Sequence, residues 1–221
     1  MASYASDEEQ LEALKNWWKE NGSSLITGIA IVLVVFFGTR WWQDSRQATA
    51  EAASEVYDGI IQQLAPVQDS GLDDETLAAM ESSYDLLRND FPDSIYARFG
   101  ALLLASVYVG QENYSQAQVE LQWVLDNQEL GFMKSAEQEV FLIARVRLAR
   151  VLLAQERAQE ALNLLAEVDP GTMAATYAEV QGDAYAQLGQ VEQARAAYER
   201  AINLGPGNAG FIDLKMRGLG S

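Results

Sequence analysis

The chain contains no cysteine and no histidine in 221 residues. Without cysteine there can be no disulfide framework and no thiolate nucleophile. With histidine missing as well, zinc sites built from Cys and His are excluded, and so is every Ser-His or Cys-His nucleophile. Freedom from cysteine suits a reducing or an oxidising compartment, so it does not place the protein. Basic residues are also scarce: 15 Lys and Arg stand against 32 Asp and Glu, a formal charge of −17. Most of the imbalance follows Trp42, where 27 acids meet 12 bases. Such a segment is repelled by nucleic acid and by anionic lipid heads, so no nucleic-acid partner is expected. Its acids read mainly as a solvated surface.

One further absence is local, and the rest of the chain is organised around it. From Gly22 through Thr39 no residue carries a charge. A helix of about 18 to 20 apolar residues spans the roughly 30 Å hydrocarbon core of a bilayer. Only a helix does so as a single segment, because lipid offers backbone amides no partner. Leu25, Ile26, Ile29, Ile31, Val32, Leu33, Val34, Val35, Phe36 and Phe37 are the expected lipid-facing anchor, closed by Trp41 and Trp42. Trp17 and Trp18 supply the matching indole pair on the other border, as interfacial belts do. Lys19 and Arg40 can extend outward to the head groups. A buried core helix of this length would show a polar face. A cleaved signal peptide would carry early positive charge and a shorter apolar run. Here Asp7, Glu8, Glu9 and Glu12 precede Lys15, and the small-x-small triplet Ala48-Thr49-Ala50 lies well past the run. The anchor is therefore expected to be retained. Lys15 and Lys19 before it balance Arg40 and Arg46 after it, so the positive-inside rule leaves orientation open.

Residues 1–6 read as unstructured, and residues 7–21 as a short helix with Leu11, Leu14, Trp17 and Trp18 on one face. Asn21-Gly22 reads as a local break. Residues 43–64 continue as an Ala- and Glu-rich helix leading into the first packed helix. Ala65-Pro66 and Ser70-Gly71 mark a loop. Asp73 or Asp74 can cap the next helix, which carries Leu77, Met80, Tyr84, Leu87 and Phe91 at spacings of three and four. Pro92 ends it, and Asp93 or Ser94 begins another.

From about Tyr96 the chain repeats itself. Ala117, Ala161 and Ala194 align. Four residues later come Leu121, Leu165 and Tyr198, and seven later Val124, Val168 and Ala201. Nine before them lie Tyr108, Leu152 and Tyr185, and twelve before them Ala105, Ala149 and Gly182. The small residues let paired helices approach, and the large ones fill the gap. This is the helix-turn-helix logic of a tetratricopeptide repeat of about 34 residues. The first two copies are 44 residues apart and the last two 33, which puts an insertion around Asp126–Ser135. The tryptophan of the fourth repeat position is replaced by Ala101, Arg145 and Ala178. The expected fold is all-α: an N-terminal segment (1–21), one transmembrane helix (22–42), a tetratricopeptide-like hairpin domain (43–206) and a tail (207–221).

Three motifs are assigned no chemistry. Residues 205–210 match G-x-G-x-x-G, but they follow a helix, so they read as a turn and tail. Ser24 and Gly28 form a small-x-x-x-small element that could dock another membrane helix. Asp73-Asp74-Glu75 suits a helix start better than acid-base chemistry. No catalytic residue, metal ligand or cofactor is assigned. Counting from the aligned alanines, the inner wall of the repeats would carry Phe99, Leu102, Ser106 and Val109, then Ile143, Val146, Arg150 and Leu153, then Glu179 and Asp183. That wall grades from apolar to acidic. It could hold an apolar segment of an unfolded client or a partner helix, with the acids meeting flanking Lys or Arg. The alternative is that residues 43–64 and 74–91 cover it and make it core.

The order of these features resembles a known family. Glu12-Ala13-Leu14-Lys15-Asn16-Trp17-Trp18-Lys19-Glu20-Asn21-Gly22, the apolar span, and Gly38-Thr39-Arg40-Trp41-Trp42 resemble the anchor of the YfgM family, ancillary subunits of the SecYEG translocon. Leu148-Ala149-Arg150-Val151, Gly182-Asp183-Ala184 and Leu214-Lys215-Met216 add to the match. The resemblance implies a single-pass protein of the bacterial inner membrane, with a cytoplasmic N-terminus and a periplasmic repeat domain. It further implies association with SecYEG and with PpiD, a membrane-anchored periplasmic chaperone, in the service of newly translocated proteins. The Gly-rich segment after Gly207 departs from the family. The competing expectation is a membrane-tethered regulatory adaptor that binds a signalling protein.

Overall fold

A computed structural model describes residues 4–64, 72–127, 134–205, 207 and 209–219. Among these there are nine α-helices and no strand: α1 Tyr4–Leu64, α2 Asp74–Asp90, α3 Ile95–Gly110, α4 Tyr114–Asp126, α5 Lys134–Ala154, α6 Ala158–Ala166, α7 Ala174–Gln187, α8 Val191–Asn203 and α9 Ala209–Arg217. A 3₁₀ turn, Gly171–Met173, precedes α7. Two compact units divide the chain, Met1–Ala52 and Ala53–Ser221, and α1 contributes to both.

In the first unit the helix already runs from Tyr4, where no structure was expected, and continues through Asn21-Gly22, where a break was expected. One glycine costs a helix only about 1 kcal/mol. Here the Trp18 ring covers Gly22, with ring atoms 3.3 Å from where a Cβ would sit. The Asn21 side chain donates to the Trp17 carbonyl at 3.1 Å, so it supports the turn it was expected to end. α1 is the one helix among the described residues long and apolar enough to cross a membrane. Every large apolar side chain from Leu25 to Phe37 is at least 41% exposed, which is opposite to what a soluble core helix requires. At the far border the Arg46 guanidinium lies 4.0 Å from the centre of the Trp42 ring.

The second unit begins where α1 acquires a packed face. Ala53 and Ile60 are buried, with Val56 and Tyr57 half-buried between them and Leu64 half-buried after them, a spacing of three and four. Asp73 caps α2 by accepting from the Thr76 amide at 2.7 Å, and Ser94 caps α3 by accepting from the Tyr96 amide at 3.1 Å. Met80, Tyr84 and Leu87 are the buried face of α2. The expected loop at residues 65–71 and most of the expected insertion, residues 128–133, lie outside the described residues.

Three hairpins follow: α3 with α4, α5 with α6, and α7 with α8. Each hairpin also packs on the next, through α4 on α5 and α6 on α7. Their turns are the same object three times. Glu112, Glu156 and Gly189 have φ of 59°, 61° and 72°. The amide after each bonds back to the carbonyl of Tyr108, Leu152 and Tyr185, at 2.8, 2.9 and 2.9 Å. This left-handed cap satisfies the last carbonyls of the first helix and reverses the chain. Glycine meets that backbone without strain, whereas glutamate does not. Glu156 is exposed and its side chain has no part in the turn, so Glu156→Gly is expected to stabilise the domain by up to about 1 kcal/mol. Chemical denaturation would detect it, and a loss of stability would mean the turn is not held in this geometry.

The aligned small residues sit at the helix crossings. Ala105, Ala149, Ala117, Ala161 and Ala194 are all buried, and a Cβ on Gly182 would fall 2.5 Å from the Tyr198 ring. Val168 departs from the pattern. α6 ends at Ala166, so Val168 has left the helix and is exposed. The segment after Gly207, expected as a tail, carries α9, whose Ile212 is fully buried with Ala178, Ala194, Tyr198 and Ala201. That group is a second core, separate from the larger one spanning α1 to α7. Its glycines lie at the borders of α9, which is why the sequence hid the helix.

Candidate protein-binding surface

The residues counted onto the inner wall divide into three groups. Leu102 and Val146 are buried, and Phe99, Ile143 and Leu153 are half-buried against the main core. Tyr57, near the end of α1, stacks over this region, with ring centres 6.1 Å from Phe99 and 5.8 Å from Tyr96. The apolar stretch of the expected groove is therefore largely core. This is the alternative weighed from the sequence, and the last turns of α1 supply part of the cover, with Tyr57 over Phe99.

The acidic end is not open to a partner either. Glu179 is buried and Asp183 half-buried on α7, and Lys215 reaches them from α9. Its ammonium lies 2.8 Å from Glu179 Oε1 and 2.8 Å from both oxygens of Asp183. The Tyr198 hydroxyl donates to Asp183 Oδ1 at 2.7 Å. Burial, and then that carboxylate, push the Tyr198 phenol well above its ordinary range, so it stays a donor. A partner's Lys or Arg is not needed at this end, because α9 already brings one. Removing a single member of such a buried group leaves a charge without compensation.

What remains open lies between the first two hairpins. Val109 and Ser106 of α3 and Arg150 of α5 are exposed, and they border a cleft of about 330 Å³. Ala105, Tyr114, Leu121, Val151 and Ala154 complete its lining, with Arg147 beside Arg150. Small side chains on α3 and at the end of α5 leave the space. Arg147 donates from Nη1 to the Leu102 carbonyl at 2.9 Å, which fixes it across the two hairpins. Partial burial, and then the neighbouring Arg150, hold its pKa below the usual guanidinium value. Arg150 lies 3.8 Å from Glu179 Oε2, the long edge of an ion pair.

Two further arginines escaped sequence reasoning. Arg98 on α3 is buried and donates to the carbonyls of Asp93 and Asn127, at 3.1 and 3.2 Å. Arg145 on α5, at the position where a tryptophan was expected, donates to the Leu164 carbonyl at 3.0 Å and pairs with Glu167. Each places a cation on the C-terminal end of the second helix of its hairpin, where the helix dipole favours it. The only sequence signal was an arginine inside an otherwise apolar helix face. Among the described residues no group of three or more Asp, Glu, His or Cys could hold a metal ion.

A family model described as a tetratricopeptide repeat-like domain matches residues 15–221. An ancillary SecYEG translocon subunit of Escherichia coli is 23% identical over 221 residues, covering 99% of each chain. Proteins of the same name from Neisseria gonorrhoeae and Haemophilus influenzae are 25% and 27% identical, over 93% of this chain and 92% and 93% of theirs. These are relatives of the kind to which the anchor and the later repeats pointed. No solved structure matches the chain. Neither the family description nor the relatives' names include an enzymatic activity. With one turn geometry recurring in three hairpins and a match that runs from within the anchor's leading turns through the last hairpin, the chain belongs to the tetratricopeptide repeat-like domain family.

Proposed function

We propose that the protein is a membrane-anchored, non-catalytic accessory subunit of the SecYEG translocon. It sits in the bacterial inner membrane with residues 1–21 cytoplasmic and the hairpin domain in the periplasm. There it assists newly translocated proteins together with a PpiD-type chaperone. The observation that carries this reading is the order of parts: an exposed apolar helix, then hairpin repeats, in register with translocon subunits over 99% of the Escherichia coli relative. A single span keeps the domain near the translocon at high effective concentration. Hairpin repeats suit a binding role.

Mild solubilisation of membranes, capture of the full-length protein and identification of what accompanies it tests the assignment. SecYEG and a periplasmic chaperone are expected. Recovery of a cytoplasmic signalling protein without SecYEG would favour the tethered adaptor instead. Orientation is a separate prediction. A reporter active only in the periplasm, fused after Ser221, is expected to be active, and a cytoplasmic reporter at the same place silent. The reverse pattern would turn the domain into the cytoplasm and overturn the proposal.

A further inference from the structure

We propose that the cleft between α3, α4 and α5 binds a short segment of a partner polypeptide in which an apolar side chain is flanked by one Asp or Glu. The side chain enters between Val109, Val151 and Ala154, and the carboxylate sits on Arg147 and Arg150. This reverses the charge expected of the groove. The wall's own acids, Glu179 and Asp183, are held by Lys215, while the open part of the wall presents two guanidiniums. Among the described residues no carboxylate pairs with Arg147. Among the described residues the ion pair that Arg150 makes is the long contact to Glu179, whose other oxygen Lys215 already holds. Arg147 and Arg150 stand three apart on one helix face, so both can reach one carboxylate.

The size and the surroundings narrow the occupant. At about 330 Å³ the cleft is at the small end of ligand sites, so it admits one or two side chains and not the face of a helix. The chain around it carries a charge of −17, which penalises every acid beyond the one the arginines neutralise. A polyacidic tail is therefore a poorer fit than a single acid within an apolar stretch. The proposal rests on reading this wall as a protein-binding surface, and not on the translocon.

The test uses the full-length protein in lipid nanodiscs and fluorescein-labelled peptides with Leu-Asp-Leu, Leu-Asn-Leu or Ser-Asp-Ser at the centre of a Gly-Ser frame. Fluorescence anisotropy should show saturable binding of the Leu-Asp-Leu peptide, with the other two weaker by about tenfold. Arg147→Gln with Arg150→Gln should weaken the Leu-Asp-Leu peptide by a similar factor. Ala154→Leu, an exposed position at the end of α5, should fill the cleft and abolish binding with both charges intact. If the arginine pair lowers the melting temperature, Ala154→Leu and the three peptides decide the matter. The absence of saturable binding, equal binding of the Asp and Asn peptides, or undiminished binding by Ala154→Leu would each overturn the proposal. Oleate occupying the cleft while the peptides do not would overturn it too, in favour of a lipid. Failure to recover SecYEG from membranes leaves these outcomes unchanged, so the two readings fail separately.

Discussion

Ile31→Arg together with Val34→Arg is expected to release the protein from alkali-washed membranes. Each charge near the centre of a spanning helix costs about 2.5 to 3.5 kcal/mol on insertion scales, so the pair opposes insertion by about 5 to 7 kcal/mol. Both side chains are more than half exposed, at 60% and 73%. No protein packing therefore offsets the cost, and none is lost. The hairpin domain of the extracted variant should keep its cooperative thermal unfolding, which separates loss of the anchor from loss of the fold. A double variant that stays in the pellet after alkaline extraction would show that residues 22–39 are not the span.

Leu102→Ser with Val146→Ser should destabilise the hairpin domain by several kcal/mol. On an open wall the pair would weaken only partner binding, but Leu102 is 7% exposed and Val146 2%. Truncating one buried Leu to Ala costs about 2 to 5 kcal/mol, and a buried hydroxyl without a partner adds to that. Set against a total stability of about 5 to 15 kcal/mol, the change approaches unfolding. Denaturant titration of the full-length protein in detergent, followed by tyrosine and tryptophan fluorescence, reads it. A variant with an unchanged midpoint would return both residues to the surface and reopen the apolar half of the groove.

The repeats were legible because their signal is local. A small residue at one crossing and an aromatic one turn away recur at fixed spacing, and Gly182, Tyr185, Ala194 and Tyr198 occupy those places in the structure. The anchor was legible for a similar reason, since a run without charge needs no tertiary information. What was hidden depends on distance along the chain. Lys215 meets Glu179 across 36 residues, and Arg98 meets the Asn127 carbonyl across 29. No helical or strand period connects such pairs. The acidic end of the wall was consequently taken for a docking surface, when the chain had already supplied the lysine. Counting wall positions from a regular superhelix left Leu102 and Val146 open or covered as two alternatives, and the structure buries both in the larger core. Val109 and Arg150 were picked out by the same count and do line open space, while Arg147 was missed, one turn from Arg150.

The two cores meet on a single helix. Tyr177 and Val180 of α7 belong to the larger one, and Ala178 of the same helix belongs to the smaller. α8 and α9 contribute buried side chains to the smaller core alone. A stack with nearest-neighbour cohesion frays from an end, and the fraying unit is the part whose buried side chains all lie outside the larger core. That unit here is α8 with α9, and α7 stays behind. Amides of α8 and α9 are then expected to exchange with solvent through a shared sub-global opening, at one common free energy. Those of α7 wait for the rest of the array. The last hairpin is thus split in its dynamics along a line its sequence repeat does not follow: its first helix keeps the slow clock of the large core, and its second keeps time with α9.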